Sequence, residues 1–83
     1  MDIHEVIKAK LIKDYTVEFI FDNKKKGRVN LRKYLDKGLF KDLQDKRKFK
    51  RFRLDSKLGT ICWPNGADIA PETLYDDAIN GHN

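Results

Sequence analysis

The sequence has a single cysteine, Cys62, and no apolar run of about eighteen residues that could span a membrane. One cysteine cannot form an internal disulfide, and a secreted domain of 83 residues would usually need several. The N-terminal stretch MDIHEVIKAK mixes charges with isolated aliphatic side chains, whereas a signal peptide needs a continuous apolar stretch. We therefore expect a cytoplasmic protein with no membrane partner.

Residues that catalysis or metal binding would require are also scarce. Nucleophilic catalysis would need Cys62 or Ser56 beside a base, but the two histidines, His4 and His82, lie near the ends of the chain. No cluster of cysteine, histidine or carboxylate has metal-ligand spacing, and no glycine-rich phosphate loop is present. We predict a non-enzymatic protein with no catalytic residue, no cofactor and no metal ion.

Basic residues are missing from the last third of the chain. Residues 1–57 carry all eighteen lysines and arginines and nine acids, a net charge of +9, whereas residues 58–83 carry four acids and no base, a net charge of −4. A basic body of this kind favours an acidic partner, either a nucleic acid or an acidic protein.

The hydrophobic pattern predicts one α+β domain over residues 1–83, with an ordered core from about 3 to 79 and a frayed tail at 80–83. Apolar and polar residues alternate in five segments, which predicts strands at Val6–Lys13, Tyr15–Asp22, Arg28–Leu31, Phe49–Asp55 and Thr60–Trp63. Apolar spacings of three or four predict short helices around a break at Gly38 and a terminal helix at Pro71–Ile79. The expected architecture is an antiparallel sheet of about five strands in β-β-β-α-β-β-α order, with the helices packed on one face. Ile7, Phe52 and Leu54 are expected to face the core.

The segment WPNGADIAPETLY, residues 63–75, holds the only tryptophan and both prolines, but no base. Its proline, asparagine and glycine residues are typical of a turn, and a second proline suits a first helical position. The residues assigned a structural role are Trp63, Pro64, Gly66, Pro71, Leu74 and Tyr75. Asp68 is expected to brace the loop through backbone amides. Turn and cap chemistry explains every residue type here, and the alternative is a binding surface around Asn65, Asp68 and Glu72.

This ending, together with DYTVEFIFDN, a VNL followed by a tyrosine, and GLFKDL, resembles the DUF2442 family of small bacterial proteins. The resemblance extends from about Val6 to Tyr75. It implies a compact α+β domain without an assigned chemistry. It also implies an antitoxin-like role, because some members are fused to a helix-turn-helix or lie beside small toxin-like proteins. The eight residues after Tyr75 leave no room for such a motif.

Two basic features point to a binding surface. The segment KRKFKRFR, residues 46–53, has six bases, and as a nucleic-acid site it would contact phosphates through Lys46, Arg47, Lys48, Arg51 and Arg53. The alternative is a helix end and a strand with a solvated outer face. More widely, one sheet face is predicted to be cationic, with Glu18 as its outward acid, through Lys8, Lys10, Arg28, Arg51 and Arg53. Aromatic stacking on bases is not expected, because Tyr15, Phe19, Phe21 and Phe52 are predicted to face inward.

These features predict an interaction module, antitoxin-like in role, that binds a protein through the cationic face or the surface formed by residues 63–75. The first candidate partner is the product of an adjacent gene. The alternative function is nucleic-acid binding by the basic face and the loop at residues 24–28. Homodimerisation through an exposed strand edge is left open.

Overall fold

The structure, a computed structural model, describes residues 4–80 and contains five antiparallel strands. Three of them form one sheet in chain order: β1 (Val6–Lys13), β2 (Thr16–Phe21) and β3 (Lys26–Asn30). The other two, β4 (Arg53–Asp55) and β5 (Thr60–Cys62), form a separate hairpin. A backbone hydrogen bond from Val6 N to Gly59 O, 2.8 Å long, joins the two sheets. The predicted α+β class is confirmed, with the strands divided between two sheets.

The helical segments follow the predicted order. Two 3-10 helices, Leu31–Tyr34 and Gly38–Gln44, precede α1 (Lys46–Phe49), and α2 (Pro71–Ile79) ends the described chain. Gly38, at the predicted break, has a φ of +59°, a conformation that glycine adopts without steric cost. The bounds of α2 match the prediction, with Pro71 in the first turn.

The prediction that Ile7 faces the core is wrong. Val6 lies opposite Phe21 and Lys8 lies opposite Ile20, so Ile7 is an extra residue on β1. An extra residue of this kind reverses the alternation of side chains between the two faces of a strand. Val6 is therefore buried, and Ile7 is 48% exposed.

The prediction of a strand from Phe49 to Asp55 is wrong for its first part. Residues 46–49 form helix α1, because the Asp45 carboxylate accepts a hydrogen bond from Arg47 N (2.9 Å) and caps the turn. Phe49 is completely buried at the end of this helix. The strand is thereby shortened to three residues, and Leu54, which was expected to face inward, is 41% exposed.

Helix α2 packs on the inner face of the three-stranded sheet. Leu74 is buried, and the Tyr75 ring meets Phe21 edge to face with centroids 4.9 Å apart. At the end of the helix, the Asn80 amide donates to Asp76 O (3.0 Å). Of the tail predicted to fray at residues 80–83, residues 81–83 lie outside the described part of the chain, as does residue 3 at the predicted start of the core.

A polar contact fixes α2 to the first 3-10 helix. The Asp77 side chain is buried, and its carboxylate accepts a hydrogen bond from the Tyr34 hydroxyl. Lys33 Nζ lies 3.0 Å from the same carboxylate oxygen. A buried carboxylate needs such partners because its desolvation is otherwise uncompensated. Burial, followed by the hydrogen bond and the charge of Asp77, raises the pKa of the Tyr34 hydroxyl.

We expect this contact to make the protein sensitive to alkali. Because the pKa of Tyr34 is raised on folding, its contribution to stability is complete below the ordinary tyrosine pKa of 10.0 and is lost as the pH rises above it. Urea unfolding measured at several pH values should show the free energy of unfolding of wild type falling more steeply above about pH 10 than that of Tyr34→Phe. Parallel curves for the two proteins would contradict this role of Tyr34.

Candidate interaction surface

The outer face of the three-stranded sheet, opposite α2, carries two rows of side chains across its strands. The pairing of the strands gives one row of Lys8, Ile20 and Lys26 and a second row of Lys10, Glu18 and Arg28. Glu18 pairs with Arg28 at 3.2 Å. Among residues 4–80, no carboxylate forms an ion pair with any of the three lysines, so the face has excess positive charge.

An apolar patch lies on the β1 side of this face. Ile7 and Leu54 are the exposed apolar side chains described above, and Ile20 lies partly exposed between the lysine-bearing strands. Together with Lys8 and Lys10, these residues line an open depression of about 470 Å³. We call the two rows together with Ile7 and Leu54 the outer face.

The structure brings together only some of the residues predicted to form the cationic face. Lys8, Lys10 and Arg28 share the outer face, as their register shows. Arg51 lies in the turn after α1, outside any strand, because the helix replaces the first part of the predicted strand. Arg53 lies on β4 opposite Cys62 and lines a separate shallow depression beside the β4–β5 turn. Neither arginine lines the depression of the outer face.

Half of the positive charge of the basic segment at residues 46–53 is neutralised by nearby carboxylates. Three ion pairs form there, Lys46 with Asp14 (2.8 Å), Arg47 with Asp45 (3.2 Å) and Lys48 with Asp42 (2.8 Å). The hydrogen bond from Lys46 lowers the pKa of the Asp14 carboxyl, and hydrogen bonds from Arg47 lower that of Asp45. Exposed pairs of this kind are weak, but each acid cancels a charge that would otherwise attract phosphate.

The segment at residues 63–75 mainly supports the fold. The Trp63 side chain is 3% exposed, and its Nε1 donates to Phe49 O (2.8 Å). Asn65 holds the turn, since its Nδ2 donates to Leu39 O (2.9 Å) and its Oδ1 accepts from Ala67 N (3.0 Å). Gly66 has a φ of +92° in this turn.

The bracing predicted for Asp68 is therefore supplied by Asn65. The backbone of Asp68 forms an isolated bridge with Cys62, while its side chain is exposed. Glu72 is also exposed, in the first turn of α2. Of the binding surface predicted here, Asp68 and Glu72 are thus the two residues whose side chains face solvent.

Sequence reasoning missed the apolar part of the outer face. Side chains alternate along β2, so Ile20 points away from the face that carries Phe19 and Phe21. This alternation could have predicted that Ile20 lies on the outer face. Exposure of Ile7 depends on the bulge, and Leu54 is exposed although Ile61, its partner across the β4–β5 ladder, is buried. Neither feature leaves a pattern in the sequence.

The residues considered for catalysis lie in different places. Cys62 is a half-buried free thiol on β5. His4 Nδ1 lies 3.0 Å from Asp22 Oδ1, and its ring stacks on Tyr75; His82 lies outside the described residues. Within residues 4–80, no group of three or more potential ligands is arranged to hold a metal ion, and no helix is long and apolar enough to cross a bilayer.

Comparison with known proteins identifies a family for the chain. Searches of the curated proteins and of the solved structures found no match to the chain. One family model matches residues 6–80, and its description is "Protein of unknown function (DUF2442)". The match confirms the membership expected from the sequence. With nearly its whole length matched, the chain belongs to the DUF2442 family.

Proposed function

We propose that the protein is a non-enzymatic interaction module that binds another protein through its outer face. The observation that carries this proposal is an exposed apolar patch, formed by Ile7, Ile20 and Leu54, on the sheet face opposite α2. It lies beside lysines that form no ion pair with any carboxylate of residues 4–80. Exposed apolar groups bordered by charge are typical of protein-binding surfaces. The positive border favours a partner that presents acidic residues around an apolar patch.

A protein partner fits this face better than a nucleic acid does. A nucleic-acid site gains much of its affinity from phosphate contacts, to which exposed aliphatic side chains add little. Bases stack on aromatic rings, whereas Phe19 and Phe21 are completely buried on the inner face. Three of the six bases at residues 46–53 already form ion pairs within the protein.

Site-specific photocrosslinking in the native host tests which surface is used. We expect a crosslinker at Ile7 to capture a protein, and one at Leu39 to capture none. Leu39 is a matched control because it is 56% exposed and lies beside the turn at Gly66, on the alternative surface. Capture of nucleic acid at Ile7 would favour the alternative function. Capture of a protein at Leu39 alone, or of nothing at either position, would refute binding through the outer face.

Charge reversal gives a quantitative prediction for the same face. The double variant Lys8→Glu and Lys10→Glu should bind the captured partner at least tenfold more weakly, because attraction becomes repulsion. Lys50→Glu, an exposed base outside the face, should bind as wild type does. Lys50→Glu should unfold within about 0.5 kcal/mol of wild type, since this side chain is exposed. The double variant should lose no more than about 1 kcal/mol, because Lys10→Glu places a second acid opposite Glu18. Isothermal titration calorimetry would measure the affinities. A loss of affinity in Lys50→Glu equal to that in the double variant would contradict binding through the outer face.

An antitoxin-like role is the more specific form of this proposal, in which the partner is a small cytoplasmic toxin-like protein. The free thiol of Cys62 agrees with a reducing compartment. Co-expression with the product of an adjacent gene would test this form. If that product inhibits growth, wild type should restore growth and the charge-reversed double variant should not.

A further inference from the structure

We infer that the segment bound by the outer face is an amphipathic helix with an apolar stripe flanked by acidic residues. This inference rests on the proposed function and specifies the partner. It follows from three properties of the face, which are its paired backbone, its dimensions and its distribution of charge.

A ligand that lies over the centre of the outer face finds no free backbone groups there to hydrogen-bond. The groups of β2, the central strand, are already used in the ladders with β1 and β3. A segment that lies on the face must therefore satisfy its own backbone groups, because unpaired buried amides are costly. A helix does so internally, whereas an extended peptide would leave its amides without partners.

The dimensions of the face match those of a helix. Strands β1 and β3 flank β2, and neighbouring strands lie about 4.8 Å apart, so the lysines of β1 are about 10 Å from Lys26 and Arg28 on β3. A helix with its side chains is about 10–12 Å in diameter. An apolar stripe would lie over Ile20, with Ile7 and Leu54 at one side, and the cations would border it on both sides.

The spacing of the charges also fits. Lys8 and Lys10 are two residues apart on one strand, about 7 Å along its direction. Residues i and i+4 of a helix are about 6 Å apart along its axis, so two acids at this spacing reach both lysines. The Glu18 carboxylate pairs with Arg28 between the two borders, so acids are expected at the edges of the stripe and not within it.

A second copy of this chain does not fit the same face. Two outer faces brought together would oppose their own lysines. The acidic helix α2 cannot serve as the ligand, because its apolar residues Leu74 and Tyr75 pack in its own core. The occupant is therefore a helix of a different protein.

Titration of the whole protein with synthetic peptides tests this inference. The probe is a helix-forming peptide of about eighteen residues with leucines at i, i+3, i+4 and i+7 and glutamates on both flanks. The control has the same composition in an order without a stripe. We expect the amphipathic peptide to bind at least tenfold more tightly than the control, and to gain helicity on binding by circular dichroism. In NMR spectra, the changes in amide chemical shift caused by the peptide should centre on β1, β2 and Leu54. They should disappear in the Lys8→Glu and Lys10→Glu double variant.

Three results would overturn the inference. The first is binding of the amphipathic peptide no tighter than binding of the control. The second is a set of amide chemical-shift changes centred on residues 63–75, and the third is self-association through the outer face in sedimentation experiments. If Ile7 crosslinks a protein while the amphipathic peptide gains nothing over the control, the helical partner is refuted and the interaction module stands. If Ile7 crosslinks nothing, the proposed function itself fails.

Discussion

Replacing Trp63 with alanine is expected to lower the free energy of unfolding by about 4 kcal/mol, in the range seen when large core aromatics are removed. The indole is almost completely buried, and it lies among three phenylalanine rings, with centroid distances of 6.1 Å to Phe40, 5.7 Å to Phe49 and 6.3 Å to Phe52. Its removal leaves a cavity and also leaves Phe49 O without its indole donor. Small domains are stable by about 5–15 kcal/mol, so much of the stability would be lost.

Urea unfolding followed by circular dichroism would measure this loss. Trp63→Phe should fall between wild type and Trp63→Ala, because it keeps an aromatic ring but lacks the indole donor. Leu58→Ala is a suitable control, since Leu58 is 49% exposed in the β4–β5 turn and its truncation should cost under about 0.5 kcal/mol. A loss of under about 1 kcal/mol for Trp63→Ala would show that the indole is not central to the core.

The elements with regular periodicity could be predicted from the sequence. In β2, Val17, Phe19 and Phe21 alternate with outward residues, and all three are completely buried. Helix α2 begins at Pro71 and ends at Ile79, where proline and the apolar spacing place it. In both elements, local propensity and the burial of one face favour the same conformation, so pattern alone was sufficient.

The segment at residues 45–55 could not be predicted by periodicity. Its apolar residues Phe52 and Leu54 alternate as in a strand, but Phe49 is completely buried, whereas Phe52 is partly buried against the core and Leu54 is exposed. The Asp45 cap and the hydrogen bond from Trp63 to Phe49 O hold the chain in a helical turn. One of these contacts joins residues fourteen positions apart, and such a contact has no local signature.

The outer face was predictable only where its residues follow strand alternation. Lys8, Lys10 and Arg28 follow strand alternation, which placed them on one face. The apolar patch depends on the bulge at Ile7, and a bulge is set by how two strands pair. The charges in the sequence therefore predicted a cationic face. The folded structure shows that the face also carries exposed aliphatic side chains.

Replacing Gly27 with alanine should be the most disruptive change on β3, and we expect it to cost about 3 kcal/mol, as overpacking in a filled core does. A Cβ atom at this position would lie 2.3 Å from Ala78 O, 2.8 Å from Ala78 C and 2.9 Å from Ala78 Cβ. The nearest atoms belong to the backbone of α2, so rotation of a side chain cannot relieve the overlap. The helix would have to move away from the sheet, and its contacts through Leu74 and Tyr75 would weaken.

Gly38→Ala is the matched control, because its Cβ would meet nothing within 4 Å and only its φ of +59° opposes the substitution. That strain should cost about 1 kcal/mol. Amide hydrogen exchange should become faster throughout α2 in Gly27→Ala and remain unchanged there in Gly38→Ala. Adding Ala78→Gly to Gly27→Ala removes one of the three close contacts and leaves the two backbone contacts, so it should not restore stability. Full restoration by Ala78→Gly would contradict this packing, because it would mean that α2 meets β3 through the Ala78 methyl group and not through its backbone.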